Sequence, residues 1–193
     1  PLRKTGDMFL PHEENLWLID EKLSYHKFIA SDVPFCSLEE IPGEGMQRMD
    51  LAIVNNPVAY SDGDAHRIQN SVVIVEFKRA QRDDYTASNN PIIQVLGYVN
   101  KIKDGISVNP ESGRRINLDE NTRFYCYIVC DISAKLRKFA GYHKLVKAPD
   151  ALGYFGYIDE ERTWIEIISF DKLLDDAQKR NRVLFNKLGI SVG

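Results

Sequence analysis

Three groups of residues have the types and spacing to do chemistry. The run Val75-Glu76-Phe77-Lys78 ends an otherwise apolar stretch. Strand side chains alternate, so Glu76 and Lys78 share one face while Val75 and Phe77 take the other. A carboxylate beside an ammonium suits catalysis at a cleft, although an ion pair at a solvated strand end gives the same pattern. Upstream, Asp50 opens the short apolar run of Met49 to Val54. If the two strands pair as a meander, Asp50 comes beside Glu76. Two hard carboxylates with a nearby cation would suit a divalent ion such as Mg²⁺. A plain turn-capping role for Asp50 is the alternative. Finally, Gln94 and Tyr98 lie one helical turn apart, and Lys101 continues their face. An amide and a phenol there can orient a catalytic lysine or contact a phosphate, or they can form an ordinary polar helix surface.

In chain order, Asp50, Glu76-x-Lys78 and Gln94-x-x-x-Tyr98 resemble the RecB-type pattern of the PD-(D/E)XK nuclease superfamily, over about the first half of the chain. The resemblance implies a restriction-endonuclease-like fold and a Mg²⁺-dependent phosphodiesterase, with Mn²⁺ able to substitute. It assigns Asp50, Glu76 and the Phe77 carbonyl to the metal, with Glu21 of the first helix as a further ligand. Lys78 would act on the attacking water, with Gln94 and Tyr98 orienting it. Glu14 and Asp20 are alternatives to Glu21. The substrate implied is nucleic acid, with DNA favoured. Arg79, Arg82, Lys101 and Lys103 would grip it, and Arg114, Arg115, Lys135, Arg137 and Lys138 could extend the track. A catalytically inactive module that binds nucleic acid or a partner is the runner-up.

Three further stretches, Leu16 to Ser31, Val75 to Tyr85 and Leu152 to Tyr157, are similar to C-terminal regions of uncharacterised bacterial proteins with a histidine-kinase/Hsp90-like ATPase in front. That similarity implies a linked ATPase and agrees with a chain opening at Pro1. It leaves a homodimer open.

Those residues need elements to position them. Leu16, Ile19, Leu23 and Phe28 recur at helical spacing and predict a helix over 12–30. Met49 to Val54 and the β-branched Ser71 to Lys78 read as strands. Asn90-Pro91 starts a helix whose stripe, Ile92, Val95, Leu96, Val99 and Ile102, ends before Gly105. Arg123 to Asp131 predicts a strand, Ser133 to Val146 a helix, and Tyr154 to Ile158 with Thr163 to Ile168 a hairpin. Ser169 can cap a last helix running to Gly189. Residues 32–46, 55–70 and 105–121 read as loops. Helices flanking a sheet predict an α/β fold, a three-layer α/β/α sandwich with a central mixed sheet.

The 193 residues fit one domain, 1–193, expected to be part of a longer protein, and at 44% hydrophobic they can close a core without disulfides. Cys36, Cys126 and Cys130 are odd in number and lack CxxC spacing. Cys126 and Cys130 would stand about 13 Å apart in a strand, too far to bridge. The seven-residue apolar run from Phe124 to Cys130 is far short of a membrane span, so a cytoplasmic, membrane-free protein is expected. The phosphate-cradling GxGxxG and GxxxxGK[ST] patterns and the nucleophile pattern GxSxG are missing, and four histidines are dispersed. A net charge of −3 argues against a generally basic nucleic-acid wrapper and leaves room for a local basic groove.

Overall fold

The computed structural model describes residues 3–4, 28–34, 48–55, 69–104, 108–109, 114–115, 118–187 and 189, with side chains described over 71–104 and 122–182 and at 186 and 189. Strands β1 (Arg3–Lys4), β2 (Phe28–Pro34), β3 (Arg48–Asn55) and β4 (Gln69–Phe77) precede helix α1 (Pro91–Lys103). The short strands β5 (Val108–Asn109) and β6 (Arg114–Arg115) lead to the long β7 (Leu118–Val129) and helix α2 (Ala134–Tyr142). Then come β8 (Val146–Lys147), β9 (Gly153–Ile158), β10 (Thr163–Ile168) and helix α3 (Phe170–Lys187). The class is α/β.

One mixed sheet runs in the order β1-β2-β3-β4-β7-β10-β9-β8, and β5 and β6 form a separate ribbon. Its centre, β4, β7 and β10, is parallel, while β3 and β9 flank it in antiparallel pairing. A parallel neighbour cannot be reached by a tight turn, so the chain must cross over between β4 and β7, and α1 lies in that crossover. Pleating sorts the core. Val72 and Ile74 of β4 join Ile92, Val95, Tyr98 and Val99 of α1 and Leu136 of α2 in one cluster. Val73 and Val75 join Val129, Ile168 and Leu173 of α3 in another.

Local signals explain the helix starts. The buried Asn90 side chain accepts from Ile92 and Ile93 N–H at 3.1 Å each, with Pro91 in the first turn. Its amide also donates to the Thr86 and Ala87 carbonyls, tying the preceding loop to the helix. Ser133 accepts from Leu136 N–H, and Ser169 accepts from Lys172 N–H. All three helices thus begin after the carboxyl ends of the parallel strands, at the same end of the sheet.

Several expectations shift. The helix foreseen over 12–30 does not hold at its end, because Phe28, Ile29 and Ala30 pair with Val54, Ile53 and Ala52 in β2–β3; residues 12–27 lie outside the described set. Pairing with a distant strand overrides the local period. Val146 belongs to β8 rather than to the helix after Ser133. That helix closes with Leu145 N–H on Ala140 O and Lys144 N–H on Gly141 O, with Lys144 at φ 56°. This is a Schellman close, and it turns the chain out of the helix. Strand β7 starts at Leu118, inside the stretch read as a loop.

Candidate active site

The carboxyl end of β4 carries the chemistry. Glu76 continues the Val72 and Ile74 face, so it points under α1 and is only 3% exposed; Lys78, two residues on, is 8% exposed. A buried carboxylate is costly unless something charged or hydrogen-bonding faces it. Here the Lys78 Nζ donates to Glu76 Oε1. It also donates to Gln94 Oε1 at 2.5 Å, and Gln94 Nε2 donates to the same Glu76 oxygen at 2.8 Å and to the Tyr98 hydroxyl.

The donor and acceptor inventory explains why position 94 holds an amide. An ammonium can only donate, and a carboxylate can only accept. A side chain touching both must offer one oxygen and one N–H group, and glutamine offers both. The amide orientation is fixed by its charged partners. Tyr98, one helical turn below, then supplies an acceptor for the remaining amide hydrogen. Residues from a strand end and a helix thus form one network.

Tyr98 corrects an expectation. It does not lie on a polar helix face distinct from the apolar stripe: it is 0% exposed and sits among Ile92, Val95 and Val99 in the core. Its hydroxyl therefore reaches Gln94 rather than a substrate in solution.

Asp50 is placed by backbone register. Leu51 pairs with Val75 and Ala52 with Ile74, so the next step of the ladder sets residue 50 across from residue 76. The β3–β4 meander is therefore present in the backbone, while the Asp50 side chain lies outside the described ones. Glu21, Glu14 and Asp20 lie outside the described residues. Among the described residues no group of three or more metal-binding side chains gathers.

The proposed cations divide. Arg79 is exposed directly after Lys78. Arg82 is tied to Asp84 at 2.6 Å and lies over the Tyr85 ring at 5.5 Å, and the Asp84 carboxylate raises the guanidinium pKa while being lowered itself. Lys101 is half-buried. Lys103 does not belong beside the site. Its Nζ bonds Glu161 at 2.8 Å and stands over the Phe124 ring at 5.6 Å, and Phe124 pairs with Val72, further up the strand from Glu76. A strand rises about 3.3 Å per residue, so this is roughly 13 Å from the site.

No protein-family model, curated protein or solved structure matches this chain.

Sequence reasoning missed Asp131. This residue follows β7 and accepts the Gln81 N–H at 2.5 Å, with Gln81 at φ 61°. That bond holds the loop leaving Lys78 against the next strand end. The signal was an acid ending an apolar strand just before the helix cap Ser133. Cysteine chemistry is disfavoured at this site. Cys130 is free and buried, and burial first, then Asp131, pushes its thiol up to about 12 against the lowering influence of Lys78. Cys126 is likewise free, and burial raises its pKa. Among the described residues no helix is long and apolar enough to cross a membrane.

Proposed function

We propose that this chain is a metal-dependent nuclease of the PD-(D/E)XK type, a three-layer restriction-endonuclease-like sandwich that hydrolyses phosphodiester bonds of nucleic acid, DNA in the first instance. The observation that supports it best is the buried Glu76–Lys78–Gln94–Tyr98 network at the carboxyl end of β4, with residue 50 across the ladder from residue 76. Ligands of open α/β sheets favour that end of the strands.

The donor chemistry, carboxylate and carbonyl oxygen, fits a hard divalent cation. Asp50 and Glu76 would hold Mg²⁺, with the Phe77 carbonyl and Glu21 completing its shell. When bound, the ion supplies Lewis-acid stabilisation and a lowered pKa of water. The protein does the rest. Lys78, fixed by Glu76 and Gln94, holds its ammonium where it can position the attacking water and offset developing negative charge. Gln94 keeps that ammonium oriented, and Tyr98 keeps Gln94 oriented. Arg79 meets the phosphate backbone at the mouth.

One observation favours the inactive, binding-only reading: Lys78 is already held on two sides, by Glu76 and by Gln94. Incubating the protein with Mg²⁺ or Mn²⁺ and labelled DNA or RNA separates the two. Cleavage that disappears in Lys78→Ala and Glu76→Gln supports the nuclease. Absence of cleavage, or cleavage undiminished in Lys78→Ala, overturns it. Calorimetric metal binding lost in Glu76→Gln supports the ligand assignment.

A further inference from the structure

The segment from Ile132 to Pro149 holds five of the chain's 25 cations, Lys135, Arg137, Lys138, Lys144 and Lys147, and none of its 28 acids. In a chain of net −3 that concentration is local, and the structure exposes all five, on α2, on β8 and on the turn between them. Several cations elsewhere have carboxylate partners: Lys78 with Glu76, Arg82 with Asp84, Lys103 with Glu161, Lys172 with Asp150 and Asp176, Lys179 with Asp175. No carboxylate among the described residues pairs with Arg137, Lys138, Lys144 or Lys147. A strip of cations left for an external anion is the footprint of a polyanion.

Two further observations narrow the anion. Tyr142 ends α2 with 64% of its surface exposed, its ring under the Lys138 ammonium at 5.8 Å, and the exposed Val146 follows on the edge strand. An aromatic ring open to solvent inside a basic strip is a stacking platform, and an unpaired base offers it a face that a base inside a duplex does not. The strip also starts beside the loop that follows Lys78. Lys135 Nζ donates to the Asp83 carbonyl at 2.7 Å, in the loop that leaves Lys78, and α2 carries the strip roughly 13 Å away from there.

We infer that the α2–β8 strip binds a single-stranded nucleic acid, its phosphates along Arg137, Lys138, Lys144 and Lys147 and one base on Tyr142. The inference rests on the nuclease reading in naming nucleic acid as the anion, and it moves the grip from the α1 lysines to α2.

Fluorescence anisotropy with a labelled mixed-sequence single strand and the matching duplex, over a salt series without divalent metal, tests it. The triple variant Arg137→Ala/Lys138→Ala/Lys147→Ala should flatten the slope of log affinity against log salt by about 2, at ~0.7 for each phosphate that is no longer neutralised. Tyr142→Ala should weaken single-strand binding roughly 5- to 150-fold with the slope unchanged. Unaltered binding in both variants overturns the proposal, as does tighter binding of the duplex. Binding of polyglutamate as strong as that of the oligonucleotide, and insensitive to Tyr142→Ala, overturns it in favour of an acidic protein partner. Binding is read without divalent metal and without any cleavage step, so failure of the nuclease reading alone leaves these measurements standing.

Discussion

Replacing Lys78 with methionine removes the charge and keeps most of the side chain's volume. What remains is the Glu76 carboxylate at 3% exposure, still hydrogen-bonded by Gln94 Nε2 but without the ammonium. Because both ionic partners are nearly buried, solvent screening does not discount the pair, and removing one member of a buried pair costs about 3–5 kcal/mol. The double variant Glu76→Gln/Lys78→Met should recover most of that loss, since it removes both charges of the pair. Urea unfolding followed by circular dichroism reads this directly. With a slope of about 2–3 kcal/mol/M, the Lys78→Met midpoint should fall by roughly 1–2.5 M while the slope stays the same. The coupling in the double-mutant cycle should be large and favourable. A Lys78→Met loss below about 1 kcal/mol, or a double variant as unstable as the single, would refute the claim that Glu76 depends on Lys78 for its burial.

Asn90→Ala removes the α1 cap and the bonds to the 86–87 loop; thermal melting should show a loss of about 1–2 kcal/mol, equal to a Tm lower by roughly 2–8 °C. Gly153→Ala would drive a Cβ into the Ile167 carbonyl oxygen of the neighbouring strand, and should destabilise by about 1–3 kcal/mol or prevent soluble expression. Lys144→Gly relaxes the left-handed residue that closes α2 and should raise stability by about 0.5–1 kcal/mol in the same melts. Burial lowers the His143 pKa below its ordinary 6.5, so the unfolded chain takes up that proton first. Stability from this group is complete above pH 6.5 and falls as pH drops from there through the folded pKa. Wild type minus His143→Gln, measured as unfolding free energy from about pH 8 to 5, should show that slope, and a flat difference would contradict it.

The elements that the sequence revealed are those whose signals are local. β4 announces itself by Val72 to Val75, α1 by Asn90-Pro91 and its stripe, and α2 and α3 by Ser133 and Ser169. The candidate site was legible because its motif residues sit on those elements. What escaped depends on partners distant in sequence. Phe28 to Pro34 is a strand because Arg48–Asn55 pairs with it, which helical spacing around Leu23 and Phe28 does not register. Tyr98 is buried because the sheet lies beneath it, and a Gln-x-x-x-Tyr spacing says nothing about which face meets a sheet. Lys103 looked available until Glu161, 58 positions on, occupied it. Gln81, at positive φ and bonded to Asp131 50 positions away, carries no local turn signal.

The shared end at which α1, α2 and α3 begin has an electrostatic consequence that formal charge conceals. Each helix start carries a partial positive charge of about half a unit, and neither α1 nor α2 has an acid in its first turn to cancel it. The compensating negative ends point the other way, and α1 meets its own with Lys101 and Lys103. Among the described residues these helix starts therefore gather positive partial charge at one end of the strands. An anion approaching the carboxyl ends of β4 and β7 meets a field more positive than the net charge of −3 would suggest.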